Sequence, residues 1–319
     1  MAGRLIDMEP RRRLSLTRQE FLDGIRTSEG RAVCAYICPR SANYVEKVSN
    51  IELVSSFGAD LINMEAFDPY RPQMCGLPSR DSGEDTVFKE HLQLEMGYGW
   101  TIRELRELTG RPIGLILKVK EYEDQTFSGI GRNTVLSEQM LDHVLEEGYD
   151  YVTLCGFEKS RMLDALKMAK EIIDDRIALA VTIPHGPGKS GEKPIYNLRE
   201  IITPDYAYEL TMAGADIVAV PAVGVTPGFT PDYVSDLIDS IHRGGALAAV
   251  SIAHSLEGSD EDTVRRIAVS NKVCGADMYN FSAGGVFESV ALPEALMAFC
   301  IAVKGRRFTY RAMCQSPLR

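Results

Sequence analysis

Eight short runs rich in Val, Ile and Leu recur along this 319-residue chain, and segments with helical period and polar faces lie between them. The runs fall at 32–39, 59–67, 113–119, 151–157, 177–184, 217–221, 246–253 and 278–281. Near-continuous apolar strands alternating with amphipathic helices call for a parallel sheet covered on both faces. Four turns punctuate the alternation: Gly58-Ala59-Asp60, Gly148-Tyr149-Asp150, Gly214-Ala215-Asp216 and Gly275-Ala276-Asp277. In each, the glycine supplies the left-handed residue that ends a helix, and the aspartate launches the next strand. Ahead of the first run, Thr17-Arg18-Gln19-Glu20 forms a capping box that opens one more helix. The pattern predicts an α/β fold, a single closed (β/α)8 TIM barrel with an extra N-terminal helix over its bottom and long βα loops. Residues 1–30 read as the extension and its helix, 31–305 as the barrel and 306–319 as a C-terminal tail. A doubly wound open sheet is the alternative, but it usually has fewer strands, and no G-x-G-x-x-G follows the first run.

Composition narrows the function classes. Apolar residues make up 45% and charged residues 25% of the chain. No run approaches eighteen apolar residues, so no membrane span is expected. The N-terminal stretch has a basic cluster without an apolar h-region, so the expected location is the cytoplasm. A net charge of −10 and a pI near 5.1 argue against a nucleic-acid partner, which needs a concentrated basic face. Arg11-Arg12-Arg13 is too short to change this and reads as a solvated lead-in. The seven cysteines form no C-x-x-C and read as free thiols, with Cys34 and Cys38 on one side of the first strand. Phe308, Tyr310 and Met313 near the C-terminus suit either a homo-oligomer contact or packing on the barrel's own exterior.

Helix-to-strand turns are short, whereas the strand-to-helix segments 68–84, 120–136, 185–203 and 222–230 are long and polar. In barrels, activity is built at the carboxyl ends of the strands from such segments. Four residues there carry candidate chemistry. Glu65 ends the second strand on the side of Leu61 and Asn63, as a general base, a metal ligand or a carboxylate holding its own loop. Lys118 ends the third strand, as a Schiff-base amine, a cation for a developing negative charge, or an internal ion-pair partner of Glu65. His185 and His254, at the ends of the fifth and seventh strands, are placed to shuttle protons or bind a metal. Ser255 follows the seventh strand, and Ser282-Ala283-Gly284-Gly285 follows the eighth. Loops after these two strands commonly hold phosphate on glycine amides, so Ser255, Ser282, Gly284 and Gly285 are candidate phosphate ligands.

Gly188-Lys189-Ser190 imitates the core of a nucleotide P-loop, and the imitation fails. The pattern needs a glycine five positions earlier, where Ile183 stands, and a helix beginning at the Lys-Ser pair. Gly191-Glu192-Lys193-Pro194 continues a loop instead, with Lys189 and Lys193 available to an anion.

With Ser282-Ala283-Gly284-Gly285 in view, the last third resembles the phosphate-binding barrels of the ribulose-phosphate-binding type. The stretch 257–268 followed by Gly275-Ala276-Asp277 is similar to a poorly characterised bacterial barrel family loosely labelled phosphonomutase-like. The acidic metal-binding series of phosphoenolpyruvate-mutase relatives has no counterpart here. The resemblance therefore implies the fold and a phosphate-bearing ligand. The leading expectation is an enzyme acting on a small phosphorylated substrate, a sugar phosphate or keto acid, by aldol-type cleavage or isomerisation. Two alternatives stand beside it. One is a hydrolase using a divalent metal ion on Glu65, His185 and His254, and the other is a non-catalytic metabolite-binding barrel.

Overall fold

Strand and helix starts are set locally. Thr17, Ser49 and Thr101 each accept from the backbone of a glutamate three residues on, and that glutamate's side chain returns the bond to the cap's own N–H. These boxes open α2 (Arg18–Arg26), α3 (Asn50–Ser56) and α4 (Ile102–Thr109). The computed structural model describes residues 3–80, 95–119, 134–183, 198–252, 256, 258–281 and 290–319. A single-turn helix, α1 (Pro10–Arg13), precedes α2. The remaining helices are α5 (Glu138–Glu147), α6 (Lys159–Ile173), α7 (Pro204–Met212), α8 (Pro231–Arg243), α9 (Glu261–Val273) and α10 (Pro293–Cys314).

The strands are β1 (Ala32–Ile37), β2 (Leu61–Met64), β3 (Ile113–Lys118), β4 (Tyr151–Cys155), β5 (Ala178–Thr182), β6 (Ile217–Pro221), β7 (Leu247–Ile252) and β8 (Met278–Phe281). They pair in sequence order, all parallel, and β8 closes on β1 through Cys34 opposite Asn280. The sheet is thus a closed (β/α)8 barrel. Each strand follows one predicted apolar run.

The four Gly-x-Asp turns precede β2, β4, β6 and β8, and they act alike. Asp60, Asp150, Asp216 and Asp277 accept from the backbone N–H of Val33, Ile113, Leu179 and Ala248 at 3.0, 2.8, 2.9 and 2.8 Å. Each aspartate N–H donates back to the carbonyl of the same residue. Every even strand is thereby registered on the odd strand before it. Each carboxylate also meets a cation: Lys304 on Asp60 at 2.6 Å, Arg106 on Asp150 at 2.7 Å, Arg18 on Asp216, and His242 on Asp277 at 2.7 Å. The turn glycines adopt φ between 85° and 111°, which a side chain would resist.

Two apolar clusters follow from strand alternation. Residues such as Val33, Ile62, Leu115, Val152 and Val218 pack outward against the helices. Ala32, Cys34, Leu61, Tyr151, Ala178, Ile217, Leu247 and Met278 face inward and meet Phe21, Leu22 and Ile25 of α2, together with Leu5 and Met8. Phe21 stacks on Tyr151 at 5.5 Å, so α2 plugs the bottom as its position ahead of β1 predicts. Gly114 is required beneath that plug's partner: a Cβ there would lie 2.2 Å from the Tyr151 ring.

Most of the C-terminal segment is helical. α10 bends at Gly305, whose φ of 75° and ψ of 163° leave the helical region, and continues to Cys314. Phe308, Thr309 and Ala312 are buried after the bend, whereas Tyr310 is exposed. Of the basic lead-in, Arg11 and Arg12 are solvated but Arg13 is fully buried, which corrects the expectation for that residue. Among the described residues no helix is long and apolar enough to cross a membrane.

Candidate functional site

The barrel interior changes character along its axis. Toward the bottom it is apolar; toward the carboxyl ends of the strands it becomes polar. Following the inward parity upward gives Tyr36 on β1, Asn63 on β2 and Glu65 just past its end, Lys118 on β3, Thr153 and Cys155 on β4, Thr182 on β5, Ser251 on β7 and Asn280 on β8. The register confirms neighbours across this belt: Tyr36 lies opposite Asn63, Lys118 opposite Cys155, Cys155 opposite Thr182, and Ser251 opposite Asn280.

Hydrogen bonds fix the lower edge of the belt. The Asn63 amide donates to Thr153 Oγ1 at 2.8 Å across the interior, and Asn280 donates to Ser251 Oγ at 3.3 Å. The Tyr151 hydroxyl donates to the Ile62 carbonyl at 2.7 Å and lies 3.4 Å from Cys34 Sγ. Burial pushes the Cys34 thiol up to about 12, so this cysteine is a small core residue and not a nucleophile. The Tyr36 ring packs on the interior cluster and is only partly buried. Desolvation and the neighbouring Cys34 push its phenol well above the usual range, against the pull of a hydrogen bond from Asn63. Glu65 also contributes to raising it, which places that carboxylate within electrostatic reach of the ring. Tyr36 is therefore a neutral hydroxyl near neutral pH.

Glu65 and Lys118 stand on adjacent strands, as alternation predicts. The Glu65 N–H still bonds the Ile37 carbonyl at 2.8 Å, extending the β1–β2 ladder to that residue. Ala66 then adopts φ 59°, a left-handed conformation unusual for a residue with a side chain, and the strand ends abruptly. Backbone strain of this kind concentrates at functional sites. Asp68 accepts from Tyr70 N–H at 3.0 Å and is a turn residue. Lys118 closes β3, with its carbonyl accepting from Leu136 N–H at 2.8 Å, and its side chain is partly buried. Extending the β2–β3 register sets Glu65 beside Ile116, below Lys118 on the same inward face. Among the described residues no ion pair joins Glu65 to Lys118, so the internal pairing considered from sequence is not formed.

His185, His254, Ser255, Ser282, Gly284 and Gly285 lie outside the described residues, as does the segment from Pro184 to Tyr196 that imitates a P-loop. Two of the three proposed metal ligands are among them. Within the described residues no group of three His, Cys, Asp or Glu side chains could hold a metal ion. The described flank of the seventh and eighth loops is acidic. A groove of about 350 Å³ there is lined by Ser259, Asp260, Glu261, Asp262 and Glu294. Asp260 caps α9 through Thr263 N–H at 2.8 Å, so that amide of the first turn already meets a carboxylate.

Sequence reasoning missed Tyr36, Asn63, Thr153 and Cys155. All sit inside runs that are apolar on both faces, where nothing marks the inward side; a lone Tyr or Asn at inward parity, counted from Glu65 and Lys118, was the available clue. The thiols read correctly as free: Cys34, Cys75, Cys274 and Cys300 are buried, Cys38 and Cys155 partly so, and Cys314 is exposed.

Comparison with known proteins identifies the chain as a member of the family described as "Domain of unknown function (DUF7916)", which matches residues 6–319. No curated protein matches it. Solved structures with similar folds include Rhizobium etli pyruvate carboxylase T882A, at 13% identity and a TM-score of 0.49, covering 94% of this chain and 30% of that one. Thiamine phosphate pyrophosphorylase from Pyrococcus furiosus is 12% identical with a TM-score of 0.45, over 90% of this chain and 98% of that one. The YdjI aldolase from Escherichia coli K12 is 11% identical with a TM-score of 0.43, over 82% and 78%. The chain thus spans about a third of the carboxylase it matches. Likeness this distant says nothing of chemistry, and the barrel rests on its own strand order.

Proposed function

We propose that this protein is an enzyme that acts on a small phosphorylated metabolite at the carboxyl mouth of the barrel, by aldol-type cleavage or isomerisation. One observation supports the reading above the others: a carboxylate, an ammonium and a neutral phenol share the polar upper interior on three consecutive strands, while the lower interior is closed by α2. Such a trio matches the needs of proton transfer beside a carbonyl. Glu65 takes the proton from the carbon next to the substrate carbonyl, and electrons move onto the carbonyl oxygen. As an ammonium, Lys118 donates to that oxygen; in the alternative route its neutral amine first condenses with the carbonyl, the oxygen leaves as water, and the protonated imine nitrogen takes up the electrons in its place. Tyr36 donates its hydroxyl hydrogen to the same developing charge. His185 or His254 returns the proton, and Ser282, Gly284 and Gly285 with Ser255 hold the phosphate. The acidic flank at Asp260–Asp262 favours a ligand whose phosphate is directed away from α9.

A thermal-shift screen of phosphosugars and keto acids, with and without divalent cations, tests this directly. A phosphorylated carbonyl compound should raise the melting temperature of the wild type and not of Lys118→Met. Borohydride with that compound should trap an adduct on Lys118 if the imine route operates. Stabilisation by divalent cations alone, lost in Glu65→Gln, would instead establish a metal site. No stabilisation by any of these would contradict an enzyme of this class.

A further inference from the structure

The four launching aspartates are an internal control on charge balance. Asp150, Asp216 and Asp277 meet Arg106, Arg18 and His242, and each cation ends on its carboxylate. Asp60 is different. Its Oδ2 receives Val33 N–H and the Lys304 ammonium, and both Asp60 and Lys304 are almost wholly buried. Two further buried guanidiniums adjoin this pair. Arg111, 2% exposed, donates to the carbonyls of Ala59, Ser55 and Ala312. Arg13, 0% exposed, has no acceptor at Nε or Nη1, and Asp60 Oδ1 has no donor.

Among the described residues the formal charges of this buried group are three positive (Arg13, Arg111, Lys304) against one negative (Asp60). Carbonyls satisfy the hydrogen bonds of Arg111 but not its charge. Arginine does not escape by losing its proton under ordinary conditions. The two guanidiniums also feel one another: burial first, then Arg13, pulls Arg111 down to about 9. Arg311, a further cation felt by Arg13, spends its contacts on Asp7. A water molecule would supply hydrogen-bonding partners here and leave the charge excess unchanged. An uncompensated buried charge is among the most costly features a fold can hold.

We infer that the bottom of the barrel binds a small monovalent inorganic anion, of the chloride class, beside Arg13 where the N-terminal segment and the end of α10 meet Asp60. The anion ties the two chain ends to the β1–β2 edge. A larger dianion is disfavoured by the adjacent Asp60 carboxylate. The site is remote from the mouth and independent of the activity proposed above.

The test compares melting temperatures of the full-length wild type and Arg13→Met in sodium chloride and in sodium gluconate at equal ionic strength. Chloride should raise the wild type by about 3 °C or more over gluconate, and Arg13→Met should show no such difference. In gluconate the variant should match or exceed the wild type, because the uncompensated charge is gone. A bromide-soaked crystal of the wild type should show an anomalous peak beside Arg13, a readout that does not depend on the variant folding. An equal loss of stability in both salts with no anomalous peak would show that Arg13 is bridged by water alone and overturn the inference.

Discussion

The two ends of this barrel are built by opposite rules. At the bottom, one device is used four times: a glycine turn, an aspartate bonded back to the preceding strand, and a cation on the aspartate. At the mouth nothing repeats. Tyr36, Glu65, Lys118, Thr153, Ser251 and Asn280 differ in type, length and charge, and the chain turns at Ala66 through a strained conformation. Repetition suits a role that every pair of strands shares, namely setting register. Dissimilar groups held on one inward belt suit a role performed once, on one ligand.

Substitutions should divide along the same line. The largest effect is expected at Asp60. Asp60→Asn keeps the shape and the bond to Val33 but removes the carboxylate charge that faces Lys304, Arg13 and Arg111, at about 3–5 kcal/mol. Denaturant unfolding should read this as a lower midpoint with an unchanged slope. Next comes Gly114→Ala, whose methyl group must displace the Tyr151 ring and with it Phe21, costing about 1–3 kcal/mol by overpacking. The mouth should behave differently. Glu65→Gln and Tyr36→Phe should each alter stability by less than about 1 kcal/mol, yet abolish or strongly weaken stabilisation by the ligand found in screening. A mouth substitution as damaging to folding as those at the bottom would erase the distinction.

The smallest effect concerns pH. Its hydrogen bond to Asp277 raises the His242 pKa above the ordinary value, and burial opposes this only in part. A proton held more tightly in the folded chain adds stability below the unfolded pKa, and that stability is lost as pH rises through the folded value. Wild-type melting should therefore fall slightly between about pH 6 and pH 8 relative to His242→Asn. The ring is partly exposed, so a difference of a few tenths of a kcal/mol is the expected scale. An unchanged slope in the variant would remove His242 from the set of charge partners.

What could be read in advance follows the same division. The Gly-x-Asp turns, the capping box at Thr17 and the eight runs are local patterns whose causes lie within a few residues, so the barrel and its α2 plug were legible. Glu65 and Lys118 were legible because a charged residue closing an apolar strand stands out. Tyr36 was not, since a strand buried on both faces has no polar side to set its parity. Arg13 was misread because its neighbours Arg11 and Arg12 do face solvent, and the burial of the third depends on tertiary packing that a run of three like residues does not encode. The cation on Asp60 comes from position 304, a separation that no local spacing encodes.

Amide hydrogen–deuterium exchange, with and without the metabolite that stabilises the protein most, tests the division of labour between the two ends most directly. The account predicts slower exchange at 36–38, 63–66 and 117–119, with no change in α2 or at 306–314. Protection confined to α2 and the end of α10, with those three strand ends unaffected, would contradict it.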